Sequence, residues 1–264
     1  MFGPVETIRC EFPREHVLLI TLNRPDVSNA LNTQMGEELA SVFTRLAVDV
    51  GDARCVVMTG AGDRAFSAGG DLKQRDGMTN EAWLHQHAIF ERFFWSLVDC
   101  PLPVICAVNG HAFGGGFEMV LAADFAYAVP RARFALTEVS LGIMPGGGGT
   151  QNLPRAVGAR RAKEIIFTAK PISADQALDW GVLNRICEPD TLLNDALDTA
   201  TAIAANAPLS IRQAKKAIHH GMQTDITRAL WLEIEAYNRL VFTEDRREGV
   251  RAFNEKRPPR FRGQ

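Results

Sequence analysis

Two carboxylates, Glu118 and Glu138, each stand beside a run of glycines, and that combination of residue types is the first chemical signal in the chain. Gly114 to Gly116 precede Glu118 in NGHAFGGGFEM, Gly146 to Gly149 follow Glu138 in TEVSLGIMPGGGG, and Gly69 and Gly70 lie in AFSAGGDLK. Glycine permits backbone angles closed to other residues and lets a ligand approach the main chain, so such runs can aim N–H groups at an anion or a developing oxyanion. The helix-forming FEMVLAAD follows the strand-like LPVICAVNG, which puts Gly115 at a helix N-terminus with a free N–H and Glu118 in the first turn. A first-turn acid also complements the helix dipole, which is the purely structural reading of Glu118. Glu138 sits in a strand-like run, RFALTEVSLGIM, flanked by Leu136, Val139 and Leu141. It either turns to solvent or enters an apolar pocket, where desolvation would raise its pKa. Two acids beside amide donors suit proton transfer next to a carbonyl, or addition of water across a bond conjugated to one.

The elements that must hold these residues follow from periodicity. VLLITL, RCVVMTG, LPVICAVNG and DFAYAV are β-branched runs ended by turn residues. Met35, Leu39, Val42, Phe43, Leu46 and Val50 form one helical stripe between Thr33 and Val50, and Trp83, Phe90, Phe94 and Leu97 form another between Glu81 and Asp99. Strands alternating with helices indicate an α/β core. After Gly149 successive helices are expected in GARRAKEIIFTA, ISADQALDWG and DTLLNDALDTATAIAANA, with a capping box at Ser173 and Gln176 and a stop at Gly181. Two or three more run from Pro208 to Pro258. The boundary falls at Ala205 to Pro208: residues 1–204 form the core, and 205–264 a helical region too short to stand alone, which must pack on the core or on a neighbouring subunit.

Five segments in order resemble the crotonase (enoyl-CoA hydratase/isomerase) superfamily: LNRPDVSNALN at 22–32, AFSAGGDLK at 65–73, NGHAFGGGFE at 109–118, TEVSLGIMPGGGGTQ at 137–151 and EDRREGVRAFNEKRPPRF at 244–261. The resemblance implies a spiral of ββα units with a helical C-terminal trimerisation region, assembled as a homotrimer or hexamer. It implies hydration of a 2-enoyl-CoA thioester, with Gly70 and Gly115 as the oxyanion-hole amides and Glu118 and Glu138 as the acids that position and activate water. Gly146 corresponds to a glycine whose amide contacts that water. For the CoA portion the resemblance points to Ala65, Ser67 and Ala68 around the adenine and to Asp71, Leu72 and Lys73 near the pantetheine and phosphates. Tyr237 would cover the acyl site, and Phe253 and Lys256 would approach the nucleotide from a neighbouring subunit. No separate cofactor or metal is implied, coenzyme A being part of the substrate. Acyl preference is expected to lie around Gln74 to Trp83 and Phe90 to Phe94.

The motifs GDLKQRDGM, IMPGGGGTQNLPRAVG and EKRPPRF resemble the methylglutaconyl-CoA hydratase branch most closely, and an enoyl-CoA isomerase on the same fold is the other alternative. Animal members of that branch bind RNA through a lysine-rich first helix. Here the corresponding helix carries Arg45 and no lysine, against Glu37, Glu38 and Asp49, so nucleic acid is not an expected partner. Other classes fit less well. Lys plus Arg number 29 against 31 for Asp plus Glu, so no strong net field recruits polyanions or anionic membranes, although residues 246–264 carry a local basic excess. The six-residue run Val17 to Leu22 is far too short to span a bilayer, and the acidic first fifteen residues do not read as a targeting segment, so a cytoplasmic location is expected. Five scattered cysteines read as reduced, buried thiols. Gly60, Gly62 and Ala65 match a dinucleotide fingerprint formally, but no helix opens there. His85 and His87, two residues apart, point to different sides of a helix and do not form a metal pair. A non-catalytic acyl-CoA scaffold would have little use for both acids.

Overall fold

In the computed structural model, which describes Gly3 and residues 5–264, strands and helices follow one another in a repeating order that builds two sheets at once. β1 (Ile8–Arg14) and β2 (Val17–Leu22) form an antiparallel hairpin, and α1 (Thr33–Val48) leads to β3 (Cys55–Gly60) and β4 (Ala65–Ser67). The short α2 (Leu72–Arg75) and the long α3 (Asn80–Val98) precede β5 (Val104–Val108) and β6 (His111–Phe113). α4 (Gly115–Ala122) then precedes β7 (Phe125–Ala128) and β8 (Arg133–Ala135). β1 and β2 both join a six-stranded sheet of order β1-β2-β3-β5-β7-β10, and from β3 to β8 each turn of two strands gives its first to that sheet and its second to a four-stranded sheet of order β4-β6-β8-β9. A helix closes the turn, which is the expected ββα spiral. Helices α5 (Gly149–Val157) and α6 (Ala159–Thr168), strand β9 (Ile172–Ser173), α7 (Ala174–Asp179) and β10 (Arg185–Ile186) complete both sheets, and α8 (Leu192–Ala204) packs on the larger one.

Burial explains the uninterrupted apolar strands. Every residue of β2, β3 and β5 is buried, as parallel strands covered on both faces must be. α1 starts where the Asn32 side chain accepts from Met35 N–H at 3.0 Å, and its apolar stripe packs on α3, with Phe43 and Phe93 rings 6.1 Å apart. Both helices end a residue or two before the sequence stripe suggests, at Val48 and Val98. The capping box at Ser173 and Gln176 is present, and Gly181 takes the left-handed conformation just beyond α7. Phe117 and Phe134, both fully buried, meet at 5.3 Å between the two sheets' helices and strands, and truncating either to Ala would cost about 3–5 kcal/mol.

Two sequence readings need correction. The run around Glu138 is not a strand: β8 stops at Ala135, and Glu138–Leu141 form a single 3-10 turn closed by Gly142 in the left-handed region. The alternation of apolar residues there reflects a tight turn wrapped over the cavity rather than a pleat. α5 is a helix that the glycine run and Pro154 had concealed. Beyond Ala204 lie α9 (Pro208–Gly221), α10 (Ile226–Val241) and α11 (Glu244–Asn254). α9 and α10 pack on each other, yet α9 has no buried residue, and Ile226, Trp231 and Phe242 are 73%, 65% and 80% exposed. The tail is tied to the core by Arg54, which donates to Ala204 O and Phe261 O, and by Lys215, which meets Leu102 O and Asp124 at 2.8 and 2.7 Å. Cys55, Cys100, Cys106 and Cys187 are buried, Cys10 partly so, and all five are free thiols. Among the described residues no helix is long and apolar enough to cross a membrane.

Candidate active site

β4, β6 and β8 lie side by side in the smaller sheet and run parallel, so the loops after their C-terminal ends open at one edge. Those loops carry Ala68 to Gly70, Gly114 to Gly115 and Thr137 to Glu138, and all three line one cavity of about 410 Å³. The location is the one expected for a ligand site in a parallel sheet. Its remaining walls come from α3, through Trp83, His87, Phe90 and Phe94, and from the 141–147 loop.

The two glycine loops are brought into contact by the backbone. Gly69 has φ +84°, and a Cβ on it would sit 2.7 Å from Phe113 O and 3.1 Å from Gly115 N, so no other residue fits without covering that amide. Leu31 clamps the loop from behind: its N–H donates to Gly69 O at 2.7 Å and its carbonyl accepts from Asp71 N–H at 2.9 Å. This pairing skips Gly70, whose N–H donates to no acceptor among the described residues. Gly115 is the first residue of α4, so its N–H has no intrahelical partner either. Both amides line the cavity.

The motif at 22–32 explains this rigidity. Asn29, fully buried, donates to Ala61 O and Ala65 O at 3.0 and 2.9 Å, and Ser67 Oγ donates to Asn29 O at 2.8 Å. Arg24 bridges Ala30 O and the Asp71 carboxylate at 2.7 and 2.8 Å, while Asp71 also caps α2 by accepting from Gln74 N–H. Burial pushes the Asp71 carboxyl upward, but Arg24 and the Gln74 amide outweigh it and hold the group below its ordinary range. Ser67, Asp71 and the Ala65 carbonyl are thus committed inside the protein, so any ligand contact from this stretch falls to its backbone and to Ala68 and Leu72, which line the cavity. Lys73 is exposed and forms no ion pair among the described residues.

Glu118 projects from the first turn of α4 and is 97% buried, and its Oε1 accepts from the Gly147 and Gly149 amides at 2.8 Å each. A Cβ on Gly149 would lie 2.9 Å from that oxygen. Burial pushes the Glu118 carboxyl up to about 7; the Gly149 amide opposes the rise, the charge of Glu138 adds to it, and the Gly147 amide opposes it again. Glu138 also lines the cavity, with Oε1 3.0 Å from where a Cβ on Gly114 would stand. Its Oε2 is buried and takes no hydrogen bond among the described residues. Burial raises this carboxyl too, against its own backbone N–H and the Arg75 charge. Like charges sharing a cavity oppose each other's ionisation, and the Glu138 charge is one cause of the raised Glu118 carboxyl.

The cavity therefore gathers Gly70, Gly115, Glu118, Glu138 and Gly146, the last with His87 Cε1 3.0 Å from its Cβ position. Tyr237, Phe253 and Lys256 do not line it: they are exposed on α10 and at the end of α11. Sequence reasoning missed the Gly147 and Gly149 amides as partners of Glu118, and it passed over Arg75 and His87 on the acyl wall. An arginine two residues past the lysine of AFSAGGDLK, in a stretch already expected to line the pocket, was the available signal.

Against known proteins, a model of the enoyl-CoA hydratase/isomerase family matches residues 13–264. A short-chain-enoyl-CoA hydratase of Clostridium acetobutylicum is 42% identical over 241 residues, covering 91% of this chain and 92% of that one. A crotonyl-CoA hydratase of Syntrophomonas wolfei is 38% identical over 247 residues, 94% of this chain and 95% of that one. The crystal structure of an enoyl-CoA hydratase from Bacillus anthracis superposes with a TM-score of 0.95 at 41% identity, covering 98% of this chain and 100% of that one.

Proposed function

Because the chain belongs to the enoyl-CoA hydratase/isomerase family, we propose that its cavity adds water across the 2,3 double bond of a 2-enoyl-CoA thioester, making it a hydro-lyase. The observation that carries this reading is the meeting of two unpartnered amides, Gly70 and Gly115, with two buried acids in a single cavity. The amides hold the thioester oxygen and stabilise the enolate that forms as oxygen bonds to C3. Hydrogen bonding divides the acids. Two amide donors on Oε1 favour the charged form of Glu118, which takes a proton from the attacking water. The donor-free, buried Oε2 of Glu138 favours the neutral acid, which delivers a proton to C2. One proton is accepted and one given, so the pair returns to its starting charge when the protons re-equilibrate, and no redox change occurs.

Assembly into a trimer or hexamer is part of the same proposal. It is supported by the apolar side chains that α9 and α10 leave exposed, and it would let a neighbour bring Phe253 and Lys256 to the nucleotide end, with Tyr237 over the acyl site. Crotonyl-CoA tests the reaction directly. Loss of the ultraviolet absorbance of the conjugated thioester, with 3-hydroxybutyryl-CoA as product, is the expected result. Tight binding without absorbance loss would leave only a scaffold, and double-bond migration as the main product would make the enzyme an isomerase.

A further inference from the structure

The parallel strands of the smaller sheet end at the cavity, and they begin, at the opposite edge, among basic residues. Arg64 immediately precedes β4, His111 opens β6 and Arg133 opens β8. The register sets them in a row: His111 pairs with Ala65, Ala112 pairs with Phe134, and Arg133 pairs in turn with Ser173 of β9. The His111 N–H also donates to Arg64 O at 3.2 Å. Arg131, in the turn between β7 and β8, joins from the side, its Nη2 donating to Asp63 O and Asn109 O at 2.8 and 3.0 Å. All three arginines are exposed, and none forms an ion pair among the described residues. The Asp63 carboxylate, next to Arg64, is exposed and pairs with none of them. His111 is held in place: its ring stacks on Phe113 with centroids 5.5 Å apart and planes 5° apart, and its buried Nδ1 has no hydrogen-bond partner among the described residues. Burial lowers the pKa of this imidazole, and the charges of Arg133, Arg131 and Arg64 lower it further.

Three guanidinium groups gathered without a counter-charge build a local positive field, although the chain as a whole is nearly neutral. A buried ring nitrogen left without a partner is a second unmet requirement in the same row. We propose that the N-terminal edge of the smaller sheet is a ligand site for a phosphate group, with Arg64, Arg131 and Arg133 as its charged donors and His111 as its titrating member. A carboxylate, planar and singly charged, is satisfied by one guanidinium fork, whereas a phosphate group offers three oxygens and up to two charges to several donors at once. An anion held by the arginines screens their charge, which favours the protonated form of His111, so binding and protonation support each other. The site lies at the far ends of the strands from the cavity and does not take the thioester's place. It draws nothing from the hydratase reading.

Sulfate is the first probe, because it stays a dianion throughout the working range and any pH dependence then belongs to the protein. Calorimetry on the intact protein, with sodium chloride holding the ionic strength constant, should show saturable binding that is roughly 10-fold tighter at about pH 5.5 than at about pH 8, on either side of the ordinary histidine range. Inorganic phosphate should displace the sulfate. Ribose 5-phosphate, titrated in parallel, separates a free ion from the end of an ester: the tighter of the two names the occupant. Arg133→Gln should weaken sulfate about 10-fold, the loss of one hydrogen bond to a charged group, whereas Arg160→Gln, at an exposed arginine of α6, should leave it unchanged. His111→Gln should abolish the pH dependence and keep the affinity seen at the higher pH. Saturating acetyl-CoA should not alter any of these values. Absence of saturable binding, equal losses in Arg133→Gln and Arg160→Gln, or a pH dependence that survives in His111→Gln would each overturn the proposal. Competition between sulfate and acetyl-CoA would overturn it too, by assigning the ion to the thioester site.

Discussion

At the start of α4, Glu118 takes two amide N–H groups on a single oxygen, while on the turn after β8 Glu138 has a buried oxygen that takes none. Both carboxyls are pushed upward chiefly by burial, and their hydrogen-bond environments differ. The third glycine run solvates Glu118 with backbone, whereas Glu138, on a 3-10 turn, is lowered by its own backbone N–H and by the Arg75 charge. Two chemically identical side chains thereby stand in different hydrogen-bond environments, and the proposed division into base and acid rests on that difference.

The largest expected effect is on turnover. Glu118→Gln and Glu138→Gln should each lower kcat on crotonyl-CoA by about 10³-fold, within the range of general acid–base catalysis. A residual rate within tenfold of the parent for either variant would remove that residue from the proton transfers. Stability should move the opposite way. The Glu118 carboxyl is raised in the fold, so its contribution to stability is fully present below about pH 4.5 and is lost as pH rises through about 7. Glu118→Gln keeps an oxygen for the two amides without the charge. It should therefore exceed the parent by about 3 kcal/mol at pH 8, an advantage that vanishes at pH 4, as read from denaturant midpoints at both pH values.

Next in size is Gly149→Ala. The added methyl would meet Glu118 Oε1 at 2.9 Å and Leu136 Cδ1 at 3.0 Å, which should cost about 1–3 kcal/mol of stability together with a drop in kcat. Unchanged kcat would show that the amide clamp on Glu118 is dispensable. The smallest effect sharpens the other side. Arg75 lowers the Glu138 carboxyl, so Arg75→Met should move the limb of the kcat profile that reports loss of the Glu138 proton to higher pH. A shift to lower pH would contradict the placement of that charge.

Much of this was readable before any coordinates. The stripe from Met35 to Leu46 and the apolar runs of β2, β3 and β5 specify their elements because burial repeats along them. The four cavity residues Gly70, Gly115, Glu118 and Glu138 could be named from glycine runs and motif order. What stayed hidden was of two physical kinds. Backbone donors such as the Gly147 and Gly149 amides carry no side-chain identity, so sequence marks them only as flexible. Short elements in the smaller sheet, β8 with three residues among them, are too brief for a period to register, and so the turn at Glu138 read as a continuing strand. Arg75 went unassigned for a third reason: its meaning comes from Gln86, Trp83 and Gly70, which reach it from three separate segments.

The excursion formed by α2 and α3 leaves the smaller sheet after β4 and returns to the larger one at β5, and it contributes Arg75, Trp83, His87, Phe90 and Phe94 to the cavity but none of Gly70, Gly115, Glu118 and Glu138. On the proposed function, substitutions in that one stretch, Arg75 excepted because its charge reaches Glu138, would reshape the space for the acyl group without replacing an amide or an acid. A lineage built on this plan can diversify its diet by revising a single panel of the binding chamber, without relearning the chemistry.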